Sequence, residues 1–208
     1  MTYSAPQFDP AYPAFSVRHG LEDWEGWWSA YDEATYQSVL GCIHADDAVL
    51  EIGAGDLRLS LRLAERARCV VVVEVNPVVL GKALARIGYD LPRSLHVVCA
   101  NALDYPCPAG MSVAVLLMRH CRHFATYAAR LEVGGCRRLI TNARWGMGVE
   151  EIDFGAACDW DAFEGGWYAC LCGRVGFEGK VASADGIAEA VTVRSCPACC
   201  ALPRDSGL

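Results

Sequence analysis

The chain has 208 residues, 53% of them hydrophobic, with a formal charge of −7 and a sequence pI near 5.2, a length that suits one well-buried α/β domain plus a small appendage and argues against two full domains. The acidic balance excludes a general electrostatic attraction to nucleic acid, whose binding rests on phosphate neutralisation, although Arg119, Arg122, Arg137 and Arg138 cluster closely enough to form a local basic patch. No run reaches the ~18 apolar residues of a membrane span, and the first thirty residues lack the apolar core of a secretory signal, so a cytoplasmic protein is expected.

Met1 to about Gly20, punctuated by Pro6, Pro10 and Pro13, reads as an irregular arm. Leu21 to Ile43 reads as helix in two pieces, with Trp24, Trp27, Trp28, Tyr31 and Tyr36 on an aromatic face; residues 1–43 form the expected arm and cap. A core over residues 44–150 follows. Its strands are expected at Ala48–Ile52, Cys69–Val75, Leu95–Ala100, Val113–Met118 and Arg138–Asn142, and its helices at Leu57–Ala67, Pro77–Ile87 and His123–Leu131. Asn76 is the expected N-cap of the second of these helices and Pro77 its first residue. Strands that are nearly continuous apolar runs and alternate with helices imply a Rossmann-like, doubly wound, mostly parallel sheet covered on both faces. Beyond Ala143 the alternation stops, and residues 151–208 are expected as a small Cys-rich, zinc-ribbon-like β module replacing the usual last strand pair. Of the twelve cysteines, Cys42, Cys69, Cys99 and Cys136 read as small buried hydrophobes in a reducing compartment.

The chemistry concentrates first in Val49-Leu50-Glu51-Ile52-Gly53-Ala54-Gly55-Asp56-Leu57, with Glu74 nineteen positions after Gly55 at the end of Val70-Val71-Val72-Val73. A buried strand, a glycine turn opening a helix, and an acid ending the next strand make a nucleoside-cofactor site. The glycines let backbone approach a ligand, and the helix offers unpaired N–H groups to it. Arg58 stands where a dinucleotide turn needs a third glycine, and Glu51 suits a cationic, amine-bearing ligand better than a pyrophosphate.

From Ala48 to Ala143 the chain resembles the class I, Rossmann-like methyltransferases, whose first motif reads E/D-x-G-x-G and whose second strand ends in an acid. The resemblance continues through Asn101-Ala102-Leu103-Asp104 and Leu131-Glu132-Val133-Gly134-Gly135. It implies S-adenosylmethionine as cofactor. Gly53, Ala54 and Gly55 would pass under its methionine and ribose, Glu74 would take the ribose hydroxyls, and Asn101 with Ala102 would meet the adenine. Glu51, Asp56, Val75 and Met118 would complete that set. Leu57 stands where the family usually has glycine, and Asn101 where it more often has Asp.

Outside the carboxyl ends of the strands, Leu117-Met118-Arg119-His120-Cys121-Arg122-His123-Phe124 lies where a doubly wound sheet presents its active site. His120 or His123 is a candidate general base, and Arg119 or Arg122 a candidate for holding an anionic acceptor. Val49 to Asn76 is similar to ribosomal-RNA adenine dimethyltransferases. The N/D-P-P-Y or N-L-P-Y of enzymes acting on exocyclic amino groups is replaced here by Leu117-Met118-Arg119-His120, which argues against adenine amino methylation.

Cys170-x-Cys172 and Cys196-Pro197-Ala198-Cys199 offer four thiolates in two close pairs, which suits structural tetrahedral zinc; Cys200 is an alternative fourth ligand, and a redox pair the competing use. The expected function is methyl transfer from S-adenosylmethionine to an acceptor of unknown class, with a lean to RNA or protein. A non-catalytic, zinc-binding scaffold with a methyltransferase-like core is the alternative.

Overall fold

Five residues, Ala48–Ile52, extend as strand β3 because four of them are apolar and all five are buried, Glu51 included. The computed structural model describes residues 7–8, 27–28, 30–144, 148–179 and 190–200, and these fall into two compact units, Met1–Pro106 and Cys107–Leu208.

In the first unit, β1 (Gln7–Phe8) pairs antiparallel with β2 (Trp27–Trp28). The helix expected from Leu21 therefore does not run through the two tryptophans, a residue type with a high strand propensity. Trp24 and the rest of residues 9–26 lie outside the described residues. The second helical piece is present as α1 (Glu33–Gly41), started by Asp32, whose carboxylate accepts from Thr35 N–H at 2.8 Å. β3 leads through a glycine turn to α2 (Arg58–Arg66), then to β4 (Cys69–Glu74), α3 (Pro77–Arg86) and β5 (Leu95–Cys99). The three strands are parallel in the order β5-β4-β3, with Ala48 opposite Cys69 and Val70 opposite Leu95. Asn76 accepts from the N–H groups of Val78 and Val79, so the expected cap and proline start are both in place. Val49, Val70 and Val72 are fully buried, each worth ~1.5–3 kcal/mol of transfer free energy.

In the second unit, β6 (Val113–Leu116), α4 (Phe124–Val133) and β7 (Arg138–Thr141) form another parallel β-α-β repeat, with Leu116 opposite Thr141. Both units thus carry the strand–helix alternation of a Rossmann-like α/β fold. An antiparallel strand, β8 (Glu150–Asp153), then pairs with β7, so the alternation does not pass straight into the ribbon. Only Ile152 of its four residues is apolar, and it is fully buried; such an edge strand has no readable period.

A small sheet follows, in the order β10-β9-β11, from β9 (Gly166–Cys170), β10 (Val175–Glu178) and β11 (Val191–Val193). Trp160, Phe163 and Tyr168 pack edge-on or tilted against each other with centroids 5.0–5.9 Å apart beside the buried Cys170, Val193 and Cys196. Arg144, 7% exposed, ties the exit of β7 to this sheet: it pairs with Glu150 and donates to the Ala169 carbonyl at 2.8 Å and the Thr192 hydroxyl at 3.2 Å. Arg194 reaches Glu132 on α4 and donates to the Phe154 carbonyl at 2.7 Å.

The cysteines depart from the expectation of uniform burial. Cys136 is buried, Cys42 and Cys69 are half-buried, and Cys99 is exposed because β5 is an edge strand with one open side.

Candidate functional site

The glycine turn after β3 is held by its neighbour strand. Gly53 N–H donates to the Val73 carbonyl at 2.8 Å, and both Gly53 and Gly55 sit at positive φ, 77° and 57°, where glycine carries no steric penalty. Glu74, 7% exposed, closes the turn from the tip of β4. One carboxylate oxygen accepts from Gly55 N–H at 2.7 Å, the other from Asn76 N–H at 2.8 Å. Burial pushes its carboxyl up, against the N–H groups of Asn76, Gly55 and Val75 that favour the charged form.

Glu51 is also buried, and Ser60 on α2 donates to it at 2.6 Å. Burial lifts the Glu51 carboxyl to about 8; the Ser60 hydroxyl pulls it part of the way back, and the negative charges of Glu74 and Asp56 add to the rise. Asp56 is held by two arginines. Arg58 pairs with it directly, while Arg86 approaches its carboxylate at 3.3 Å and its carbonyl at 2.8 Å. Sequence reasoning missed Ser60 and Arg86. Ser60 had a signal, being the one polar residue among the buried positions Leu59, Ser60 and Leu63 of α2; Arg86, thirty positions from Asp56, had none.

Leu57 has φ 65°, the left-handed region, and is fully buried. The backbone thus adopts a conformation that glycine takes freely, at ~1–2 kcal/mol of strain for leucine, while the side chain fills core. Burial of a leucine outweighs that strain. Both Leu57→Gly and Leu57→Ala are expected to destabilise, but glycine by ~1 kcal/mol less than alanine, the reverse of their helix propensities; urea unfolding of the two variants checks the order.

The remaining cofactor candidates of this unit are Val75, half-buried after β4, and Asn101 with Ala102 after β5. The Asn101 side-chain oxygen accepts from Leu103 N–H at 3.0 Å, and its backbone carbonyl accepts from Asp104 and Tyr105. The structure thus gathers Glu51, Gly53, Ala54, Gly55, Asp56 and Glu74 around one turn through the bonds above.

Met118, Arg119, His120 and His123 belong to the second unit. After β6 the chain bends so that the Met118 carbonyl accepts from Cys121 N–H at 3.1 Å and the Cys121 carbonyl from Phe124 N–H at 3.3 Å. His120 is exposed at φ 60°, a conformation uncommon for a side-chain-bearing residue and concentrated at functional turns. His123 stands at the N-cap of α4 without a side-chain capping bond, its ring edge-on to Tyr127 at 6.5 Å. Of the arginine patch, Arg138 is engaged by Glu151 at 2.9 Å.

The four expected cysteines meet. Cys170, Cys172, Cys196 and Cys199 have all their Sγ atoms within 4.8 Å of one another. Three edges measure 3.9 Å (Cys170–Cys199), 3.8 Å (Cys172–Cys196) and 3.8 Å (Cys196–Cys199). A zinc–sulfur distance of ~2.3 Å in a regular tetrahedron requires edges of ~3.8 Å, so this donor set fits the ion. Backbone N–H groups turn inward as metal knuckles need, Cys172 N to the Cys170 sulfur at 3.4 Å and Cys196 N to the Cys199 sulfur at 3.1 Å. Gly173, at φ 87°, closes the first knuckle. Burial pushes the Cys170 and Cys172 thiols up, and Cys199 is lowered overall, burial being outweighed by the Cys196 N–H and neighbouring thiols. Cys200 lies outside the described side chains.

No family model matches the chain. It is 39% identical over 64 residues to the ribosomal RNA small subunit methyltransferase A of Arthrobacter sp. (strain FB24), a match covering 29% of this chain and 22% of that protein. The chain therefore spans about a fifth of the length of this curated relative. Among solved structures it is similar to a dimethyladenosine transferase from Plasmodium falciparum, with 17% identity, 53% of this chain and 41% of that chain covered and a TM-score of 0.46. It is also similar to the 23S rRNA methyltransferase ErmE, with 24% identity, 53% and 46% covered and a TM-score of 0.45. Among the described residues, no helix is long and apolar enough to cross a membrane.

Proposed function

We propose that this protein is a cytoplasmic S-adenosylmethionine-dependent methyltransferase acting on RNA. The observation that carries the reading is the Glu74 carboxylate at the tip of β4, bonded at 2.7 Å to the N–H of Gly55 in the turn after β3. Each carboxylate oxygen keeps a second lone pair for a ribose hydroxyl, and the exposed Gly53 leaves backbone open to a ligand. The 64-residue likeness to an RNA methyltransferase supports the RNA acceptor, and the −7 charge restricts contact to a local patch such as Arg119, Arg122 and Arg137.

The cofactor supplies a methyl group on a cationic sulfur, which departs neutral and so needs orientation more than acid or base power. When the cofactor is bound, Glu51 and Glu74 would hold its charged and sugar portions, and the Asn101 amide, whose oxygen keeps one lone pair beside the Leu103 N–H, would meet the adenine with Ala102. Holding an acceptor ~3–3.5 Å from the methyl supplies several kcal/mol of the barrier. His120 or His123 takes a proton where the acceptor carries one, and Arg119 steadies its phosphate. Asp56 and Val75 would complete the surroundings of the bound cofactor, and Met118 is proposed from its place in the sequence as a further contact.

In the Cys-rich module, 151–208, Cys170, Cys172, Cys196 and Cys199 would hold one structural zinc, a closed donor set without an open position for substrate.

Calorimetric titration with S-adenosylmethionine tests the reading. Binding in the micromolar range is expected; no heat at millimolar ligand would leave only a methyltransferase-like scaffold. Labelled cofactor incubated with cell extract, then fractionated, is expected to mark RNA rather than protein.

A further inference from the structure

We infer that Asn142 reads the edge of a nucleobase in the methyl acceptor, an inference that rests on the RNA methyltransferase reading above. Asn142 directly follows β7 and is 1% exposed, yet among the described residues neither its side-chain nitrogen nor its oxygen has a hydrogen-bond partner. Its neighbour shows that the position is not simply loose. The Thr141 hydroxyl donates to the Leu116 carbonyl at 2.7 Å and accepts from Ala143 N–H at 3.1 Å. The strand exit is fixed on both sides of an amide left with both halves unsatisfied.

A buried polar group without a partner carries its full desolvation cost, and such groups are rare in native proteins unless something completes them. The last registered pair of the parallel strands β6 and β7 is Leu116 opposite Thr141. Asn142 and Leu117 therefore stand one residue beyond it, at the carboxyl ends where α/β sheets bind ligands. Leu117 begins the stretch that runs through Met118, Arg119 and His120 to His123. A carboxamide sets a donor beside an acceptor, the complement of a base edge such as the amino group and ring nitrogen of adenine. The base forms this contact by displacing what covers the amide in the free protein.

The chain has three asparagines, Asn76, Asn101 and Asn142, so amide-nitrogen labelling of asparagine yields three side-chain signals, assignable with one Asn→Asp variant each. With the 208-residue chain, S-adenosylhomocysteine is expected to move the Asn101 signal. A mixed-sequence single-stranded RNA oligonucleotide added to that complex is expected to move Asn142 and slow its exchange with water. An Asn142 signal that ignores RNA, or already responds fully to S-adenosylhomocysteine, overturns the inference; an unmoved Asn101 signal strikes the cofactor reading instead. Asn142→Leu keeps the shape and removes the orphaned amide. It is expected to raise the melting temperature by a few degrees, to keep S-adenosylhomocysteine affinity within about twofold, and to cut methyl incorporation into total RNA about tenfold or more. A lower melting temperature with unchanged incorporation would assign the amide to a buried water and a structural role.

Discussion

One zinc ion per chain is expected by elemental analysis of the purified protein, and Cys196→Ser is expected to release nearly all of it. Cys196 is fully buried, and its sulfur lies 3.8 Å from both Cys172 and Cys199 and within 4.8 Å of Cys170, so its loss removes one vertex and opens three edges of the tetrahedron at once. The module around it is small. Its core is Cys170, Val193 and Cys196, flanked by Trp160, Phe163 and Tyr168, while Trp167 and Phe177 remain substantially exposed. Metal binding in such modules contributes on the order of 10 kcal/mol, comparable with the ~5–15 kcal/mol that holds a whole domain folded. Chelation is therefore expected to unfold the small sheet, read as a separate low-temperature transition and as loss of amide protection across β9 and β11. A wild-type protein that takes up no zinc on anaerobic reconstitution, or a Cys196→Ser variant that keeps a full equivalent, would sink this assignment. Burial holds Cys170 and Cys172 above the ordinary thiol range while Cys199 is lowered, so the metal count decides against the redox alternative: one zinc per chain leaves no free thiol pair in the cluster.

What was legible in the sequence was local. β3 and β4 are apolar apart from Glu51 and the terminal Glu74, and Asn76-Pro77 is a cap and a helix start in adjacent positions, so these elements were placed to within a residue or two. The glycine turn, its distant acid and the two cysteine pairs were legible for the same reason, because their spacing is set by the chain itself. β8 was not, since one apolar residue in four carries no period. Burial of Cys99 was misread because the sequence does not say which strand lies at the edge. The partners that tune the site were equally hidden. Asp56 meets Arg86 thirty residues away, and Arg144 reaches Ala169 and Thr192, pairings that exist only once strands and helices are stacked. Asn142 reads in sequence as the last residue of an ordinary strand; its unsatisfied amide emerges only from the packing.

Cofactor binding near pH 6–7 is expected to release close to one proton, and Glu51→Gln to abolish that release. In the free protein burial holds the Glu51 carboxyl at about 8, so at neutral pH it is protonated, with the Ser60 hydroxyl bonded to it at 2.6 Å. A ligand bringing an ammonium and a sulfonium to the adjoining turn favours the carboxylate and draws the proton off. The same shift governs stability with a definite sign. The folded state binds this proton more tightly than the unfolded chain, so the contribution is complete below the unfolded value of about 4.5 and is lost as pH rises through about 8. Across that window wild-type stability is expected to fall by up to ~5 kcal/mol, an upper limit from about 1.4 kcal/mol per unit, while Glu51→Gln, neutral throughout, stays nearly flat. Titrations in two buffers of different ionisation enthalpy count the proton, and urea unfolding at pH 5 and pH 8 reads the stability. Heats independent of buffer, together with a wild-type profile as flat as that of Glu51→Gln, would show that Glu51 is already ionised in the free protein and that the turn greets its ligand with charge rather than with a proton to give up.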